Sequence, residues 1–147
     1  MLRAMLVAAV LALGFAPLGL TQAASAETLH YKATLNGASE VPPHNVPGTG
    51  DLVATLDTAT KALTYTLTFT QLTGPALMAH FHGPAKPGAN APVAVPIAGP
   101  LTSPVHGTVT LSDEHMKQLE DGLWYVNVHT AENKGGEIRG QVMKTGN

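Results

Sequence analysis

Two histidines, His80 and His82, stand one residue apart in the segment LMAHFH, and in a strand they would project from the same face. A third, His129, ends the segment LWYVNVH, where a strand gives way to a loop. Two imidazoles on one strand face can reach a single metal ion, and strand ends are common places for sites to assemble. The spacing therefore predicts a metal site made by these three histidines. The alternative is that they are polar surface residues.

Two more histidines are candidates for the same site. His106 heads a predicted strand beside Gly107, and His44 lies in a proline-rich loop that could fold over the other ligands. His30 and His115 are interpreted as solvated surface residues, on the outward face of the first strand and on a helix.

The donor types restrict the metal and the chemistry. The chain contains seven histidines and no cysteine, which suits copper or zinc rather than an iron–sulfur cluster. No calcium-loop spacing of carboxylates occurs, and no nucleophile-elbow, phosphate-loop or dinucleotide motif is present. Cysteine catalysis is excluded, and hydrolase or nucleotide-binding functions have no motif to support them.

The first residues have the pattern of a secretory signal. Arg3 precedes an apolar run from Met5 to Leu20, and Ala24 and Ala26 form a small-residue cleavage site. The pattern predicts a signal peptide over residues 1–26 and a periplasmic or secreted protein without stable membrane insertion after cleavage. An uncleaved membrane anchor is the alternative, although the apolar run is short for a spanning helix.

The remaining residues, 27–147, are enough for one domain. The whole chain has 8 Lys and Arg against 10 Asp and Glu, with no basic stripe, so nucleic acid is excluded as an expected partner. Without disulfides, stability must come from packing and sheet hydrogen bonds, to which a metal would add if one is bound.

Alternating side chains predict an all-β domain. In KALTYTLTFTQ, apolar and threonine residues alternate, which is typical of a strand with one buried face. Glycine and proline turns separate this strand from seven others. Only SDEHMKQLEDG is helical in pattern, near Asp113–Glu120. The predicted fold is an antiparallel, Greek-key-like β-sandwich or flattened barrel with one short helix. The further predicted strands are LHYKATLN, DLVATLD, LMAHFH, PVAVPI, HGTVTL, LWYVNVH and EIRGQVM.

Four pieces in order resemble the CHRD, or chordin-type, domain family: LNGASEVPP, the threonine-rich strand that follows it, GPALMAHFHGPAKPGANAPV and LEDGLWYVNVHTAENKGGEIRGQ. The resemblance covers Leu29 to Met143. It implies an extracellular or periplasmic all-β domain, found singly in bacteria and as repeats in animal chordin. It does not itself imply an activity.

A looser resemblance concerns the copper site of copper/zinc superoxide dismutases. His80 and His82 match the paired histidines of that site, and His129 matches its late histidine. The resemblance further implies that Arg139 guides a small anion such as superoxide. Because the chain lacks the disulfide cysteines, a clear zinc loop with its aspartate and an assured bridging histidine, copper is the expected metal and zinc the less expected one.

Several neighbouring residues have two interpretations each. Arg139 either guides an anion or forms a surface ion pair with Glu137 or Glu132. Glu40, in SEVPP, either bonds to its own loop or orients a ligand histidine from behind. Trp124 and Tyr125 fall on opposite strand faces, so that one belongs to the core and the other can cover the metal site.

The sequence supports three functions. The first is an exported copper-binding CHRD domain with superoxide dismutase activity. The second is a non-catalytic extracellular or periplasmic module that uses the same polar residues to bind a partner. The third is a copper buffer or carrier, for which Met78 lies on the His80 face but no methionine cluster exists.

Overall fold

A computed structural model describes residues 25–146, so the predicted signal peptide, 1–26, lies almost wholly outside the described residues. No helix in the described range is long and apolar enough to cross a membrane. The chain forms strands joined mostly by short loops, a 3-10 turn at Gly37–Ser39 and a helix α1 at Asp113–Glu120. The strands are β1 Thr28–Asn36, β2 Thr49–Asp57, β3 Ala62–Thr70, β4 Met78–His82, β5 Val93–Pro96, β6 Val105–Thr110, β7 Tyr125–His129, β8 Ile138–Gln141 and β9 Met143–Gly146.

All nine strands belong to one sheet, in the order β5-β4-β7-β8-β1-β2-β3-β6, with β9 also paired to β1. Every strand pair is antiparallel, and the sheet curls into a half-barrel around the apolar core. The predicted all-β antiparallel class with one short helix is confirmed. Strand β4 pairs on one side with the next strand in sequence, β5, and on the other with the distant β7, and the pairing with β7 builds the candidate site.

The longest strands carry the core. In β3, Leu63, Tyr65 and Leu67 are buried and the threonines between them face outward, as the alternation predicts. Phe69, near the end of that strand, is only half-buried. The buried sides of β1 and β2 continue the same apolar layer.

The last predicted strand, EIRGQVM, is divided by Val142. The backbone N–H of Val142 donates to the Trp124 carbonyl at 2.8 Å, and its side chain is buried. The chain therefore pairs with β7 before this residue and with β1 after it. The division keeps Arg139 and Gln141 next to β7, beside the histidines.

The face assignment in β3 leads to a stability prediction. Replacing Leu67, which is 0% exposed, with alanine is expected to lower the free energy of unfolding by about 2–5 kcal/mol, because a cavity remains in the core. Thr66→Ala, on the outer face, is the matched control and should change it far less. Urea unfolding of both variants measures the difference, and equal losses would contradict the assignment.

Candidate metal centre

The candidate centre is built on the pairing of β4 with β7. Across this pair His80 lies opposite Asn127, and His82 lies opposite Tyr125. Since side chains alternate along a strand, these four residues and His129 share one face of the sheet. The three histidines converge in the structure, as the sequence predicts.

The nitrogens of the three imidazoles are close enough for one ion. His80 Nδ1 and His129 Nε2 are 3.1 Å apart, and one ring nitrogen from each histidine lies within 4.8 Å of the others. Two nitrogens bound to one ion at about 2.0–2.1 Å, with roughly 100° between the bonds, are about 3.1–3.2 Å apart. The cluster of His80, His82 and His129 can therefore hold a metal ion with little rearrangement.

Backbone carbonyls orient two of the rings. His82 Nδ1 lies 2.9 Å from the Ala91 carbonyl oxygen, and His129 Nδ1 lies 2.9 Å from that of Lys134. Because a carbonyl only accepts, each Nδ1 donates its hydrogen, and each Nε2 keeps a lone pair directed at the cluster. Such a hydrogen bond behind a ligand ring is typical of protein metal sites.

Burial also favours neutral rings. Desolvation is the main reason that the pKa of His80 and that of His82 lie below the usual histidine value, and the neighbouring His129 lowers both further. The Ala91 carbonyl and the Asn127 amide oxygen, which would stabilise a protonated His82 ring, oppose its shift only in part. The lowered pKa of each ring favours the neutral form, in which imidazole binds metals.

An aromatic ring and a cation lie next to this cluster. Tyr125 stacks on His82 with ring centroids 4.7 Å apart and planes 4° from parallel. The Arg139 guanidinium carbon lies 3.4 Å from the centroid of the Tyr125 ring, a cation–π contact. Tyr125 covers His82, and Trp124 lies in the core, as the alternation predicts.

Arg139 is buried rather than exposed. It is 2% accessible, and its guanidinium donates to Asn90 Oδ1 at 3.0 Å and to the Ala89 carbonyl at 2.5 Å. Within residues 25–146 it forms no ion pair, so the alternative of a surface pair with Glu137 or Glu132 is wrong. Arg139 can act on the site through its positive charge and through Tyr125.

Asn127 is a site residue to which the sequence assigned no role. It is 2% exposed, and its Oδ1 lies 2.9 Å from His129 Nε2 and 3.1 Å from His82 Nε2. The alternation in YVNVH places it on the His129 face. Only the register of β7 against β4, however, shows that its amide meets two ligand nitrogens.

Glu40 lies behind Asn127 instead of against a ligand histidine. It is 5% exposed, and its Oε1 has no hydrogen-bond partner among the described residues. Burial raises the pKa of Glu40, while the charge of Arg139 and a hydrogen bond from Asn127 oppose the rise. The structure thus places a buried carboxyl group near the imidazoles, with Asn127 between them.

The two additional candidate ligands are not part of the cluster. His106 is exposed on β6, where its Nδ1 lies 2.9 Å from Thr66 Oγ1. His44 is half-buried in the loop before β2 and lies close enough to Glu40 to lower its pKa. His30 is exposed as predicted, but His115 packs edge-on against Trp124 with ring centroids 5.4 Å apart.

A second buried carboxylate organises the loop that follows His129. Glu137 accepts hydrogen bonds from the Thr73 backbone N–H at 2.7 Å, from Thr130 Oγ1 at 2.6 Å and from Asn133 Nδ2 at 3.2 Å. Burial alone would raise the pKa of Glu137, but these hydrogen bonds together lower it. The network fixes the loop whose Lys134 carbonyl holds His129.

The Glu137 network leads to a prediction about acid stability. Glu137→Gln is expected to lower the free energy of unfolding at pH 7 by about 1.5–3 kcal/mol, because charge-assisted hydrogen bonds are lost. A lowered pKa in the folded state means that this contribution is present above the usual glutamate pKa and disappears as the pH falls through the lowered one. The free energies of unfolding of the metal-free wild type and the metal-free variant, measured at a series of pH values, should therefore converge in acid. A difference that stays constant with pH would contradict the prediction.

A groove of about 240 Å³ opens beside His80. Its wall includes His80, Met78, Ile97 and Leu101, and the surface it exposes is more polar than apolar. A larger groove, of about 440 Å³, lies on the outer face of β1–β3 and has threonines along its wall. Of these two grooves, the smaller one is associated with the site because its wall includes His80, a member of the histidine cluster.

Comparison with known proteins identifies the family but no individual relative. No curated protein and no solved structure matches the chain. The family model described as CHRD domain matches residues 31–142, which include all three histidines, Asn127 and Arg139. Since that match extends over most of the sequence, the chain belongs to the CHRD domain family.

Proposed function

We propose that this protein is an exported copper-binding domain that dismutates superoxide. The observation that carries the proposal is the convergence of His80, His82 and His129: His80 Nδ1 lies 3.1 Å from His129 Nε2, and one ring nitrogen of each histidine lies within 4.8 Å of the others. Two of these rings are already held in the ligating tautomer by backbone carbonyls. Such an arrangement lowers the cost of assembling a metal site.

The donor set favours copper. Three neutral imidazoles without thiolates suit Cu(II), and a three-histidine site with an open position also accepts Cu(I). Copper, when bound, supplies the one-electron exchange by which two superoxide ions and two protons become O₂ and hydrogen peroxide. The protein supplies the fixed rings, the covering Tyr125 ring and the small opening at His80.

The surroundings also suit a small anion. The groove beside His80 admits a small molecule, and the buried Arg139 places a positive charge behind Tyr125. A charge with restricted solvent contact attracts an anion over a longer distance than an exposed one, because salt and water screen it less. Arg139 therefore steers superoxide without contacting it.

Two observations agree with action outside the cytoplasm. CHRD domains are typically extracellular. The first residues also have the charge, apolar run and cleavage pattern of a secretory signal. A periplasmic or secreted location is thus part of the proposal.

Metal analysis combined with a superoxide assay tests the proposal. The mature domain is purified, stripped with a chelator and loaded with Cu(II) or Zn(II) in parallel. We expect one copper per chain, and superoxide removal only in the copper-loaded sample. Copper binding without superoxide removal would instead support a copper carrier, for which the exposed Met78 opposite His129 is the favourable feature. Absence of specific metal binding would support the non-catalytic binding module.

Arg139→Gln tests the steering role. Glutamine can keep a hydrogen bond to Ala89 or Asn90 while removing the charge. We expect near-normal copper affinity, a dismutation rate lower by up to about tenfold, and a weaker fall of rate with ionic strength. Lys32→Gln, on the outer face of β1, is the control and should change neither. An unchanged salt dependence in Arg139→Gln would contradict steering.

A further inference from the structure

The Asn127 amide lies where a fourth ligand would lie. Its Oδ1 is 2.9 Å from His129 Nε2 and 3.1 Å from His82 Nε2, which is the spacing found between His80 Nδ1 and His129 Nε2. Each of these distances is close to the separation of about 3.1–3.2 Å calculated above for two atoms bound to one ion. Three contacts at this spacing thus link the four atoms, and the three imidazoles lie within 4.8 Å of one another.

With the ring tautomers assigned above, a hydrogen bond does not account for this contact. The Nδ1 hydrogens of His82 and His129 are donated to backbone carbonyls, so both Nε2 atoms are acceptors. Asn127 Oδ1 is an acceptor as well. Acceptors that face one another repel unless a positive charge lies between them, and a metal ion is such a charge.

Glu40 explains why the oxygen of Asn127 faces the histidines. The other end of the amide, Nδ2, lies on the Glu40 side, where its proximity lowers the pKa of the buried carboxyl group. The two groups share the space beside Gly136: a Cβ there would overlap Glu40 Oε1 and lie 2.6 Å from Asn127 Nδ2. Turning the amide over would place its oxygen against a buried carboxylate.

We propose that Asn127 Oδ1 is the fourth metal ligand and that Glu40 is the positioning residue that directs it to the metal. The inference rests on the proposed metal site and adds a preference between oxidation states. An amide oxygen is a hard donor that binds divalent ions and contributes little to Cu(I). Asn127 should therefore stabilise the Cu(II) form relative to the Cu(I) form.

Separate measurements of Cu(II) and Cu(I) affinity test this inference. Each ion is titrated alone against a competing chelator of known affinity. We expect Asn127→Ala to weaken Cu(II) binding about 10–100-fold while Cu(I) binding stays near that of the wild type. Each tenfold rise in the ratio of the Cu(II) dissociation constant to the Cu(I) dissociation constant corresponds to a rise of about 59 mV in the one-electron reduction potential. A purely structural role would weaken the binding of both ions equally and would overturn the inference.

Exchanging the carboxyl group of Glu40 and the amide group of Asn127 provides a rescue experiment. Glu40→Gln alone should reduce Cu(II) affinity, because a glutamine can hydrogen-bond either end of the Asn127 amide. In the double variant Glu40→Gln/Asn127→Asp, the glutamine can donate to one aspartate oxygen while the other faces the histidines. We therefore expect recovery of Cu(II) affinity. A double variant as weak as Asn127→Ala would contradict the positioning role.

Gln118→Ala is the matched control, because it removes a half-buried amide that accepts from Trp124 Nε1 at 3.1 Å, outside the histidine cluster. It should leave both affinities unchanged. If Asn127→Ala binds both ions as tightly as the wild type, or Cu(II) more tightly, the amide is not a ligand although the metal site stands. If the wild type binds neither ion, the proposed function itself fails.

Discussion

Replacing His129 with alanine is expected to weaken Cu(II) binding by at least about 100-fold. Mutation of a residue that only supports a ligand costs about 10–100-fold in affinity, and His129 would be a ligand itself. Its Nε2 also lies next to both His80 Nδ1 and Asn127 Oδ1, so its loss leaves the remaining donors without a common centre. Competition titration of the copper-loaded domain measures the change, and His80→Ala and His82→Ala should behave alike.

Histidines outside the cluster are the controls for this prediction. His30→Ala and His106→Ala remove exposed imidazoles from the outer face of the sheet and should leave the affinity unchanged. His44→Ala is a closer control, because His44 lies near Glu40 without joining the cluster. If His129→Ala binds copper like these three variants, the metal is held elsewhere and the proposed function is lost.

Replacing Phe81 with alanine is expected to lower the free energy of unfolding by about 3–5 kcal/mol. Phe81 lies between His80 and His82 in sequence but points into the core, where it is 0% exposed. Its ring packs against Tyr65 at 5.2 Å and Trp124 at 5.7 Å between centroids. The substitution thus leaves a cavity directly beneath the histidines.

Truncating an apolar side chain at the surface is the control, because it removes apolar atoms without removing core packing. Leu77→Ala, just before β4, removes a side chain that is 57% exposed and should change the free energy of unfolding by less than about 0.5 kcal/mol. Urea unfolding of the metal-free proteins compares the two. A small loss for Phe81→Ala would mean that β4 contributes little to the core, and its histidines would then lack a rigid support.

The local features of the site could be predicted from sequence because they depend on strand periodicity. Because side chains alternate along a strand, His80 and His82 lie on one face of their strand whatever the rest of the chain does. Tyr125 and His129 share a face of theirs for the same reason. The same rule separated Trp124 in the core from Tyr125 at the site. Glycine and proline turns also indicated where most strands are separated, apart from the division at Val142.

The relations between distant segments could not be predicted in this way. Asn127 acquires its role only from the register that places it opposite His80, and periodicity contains no information about register between strands. Arg139 is charged, which normally indicates exposure, yet it is buried against Tyr125. The interruption at Val142 likewise depends on a hydrogen bond to Trp124, far away in sequence.

The two strands that carry the histidines are neighbours in space, although His80 and His129 are 49 residues apart in the chain. Two strands, β5 and β6, and the helix α1 must be accommodated before β7 can reach β4. A denatured chain therefore holds no preformed chelate, and copper at the proposed site would be captured late in folding, after this long loop has closed. Because it would bind the native state, copper at a free concentration 100 times its dissociation constant would add about 2.7 kcal/mol of stability. For the exported protein proposed above, which would meet proteases outside the cell, metal occupancy would then determine how long each molecule survives.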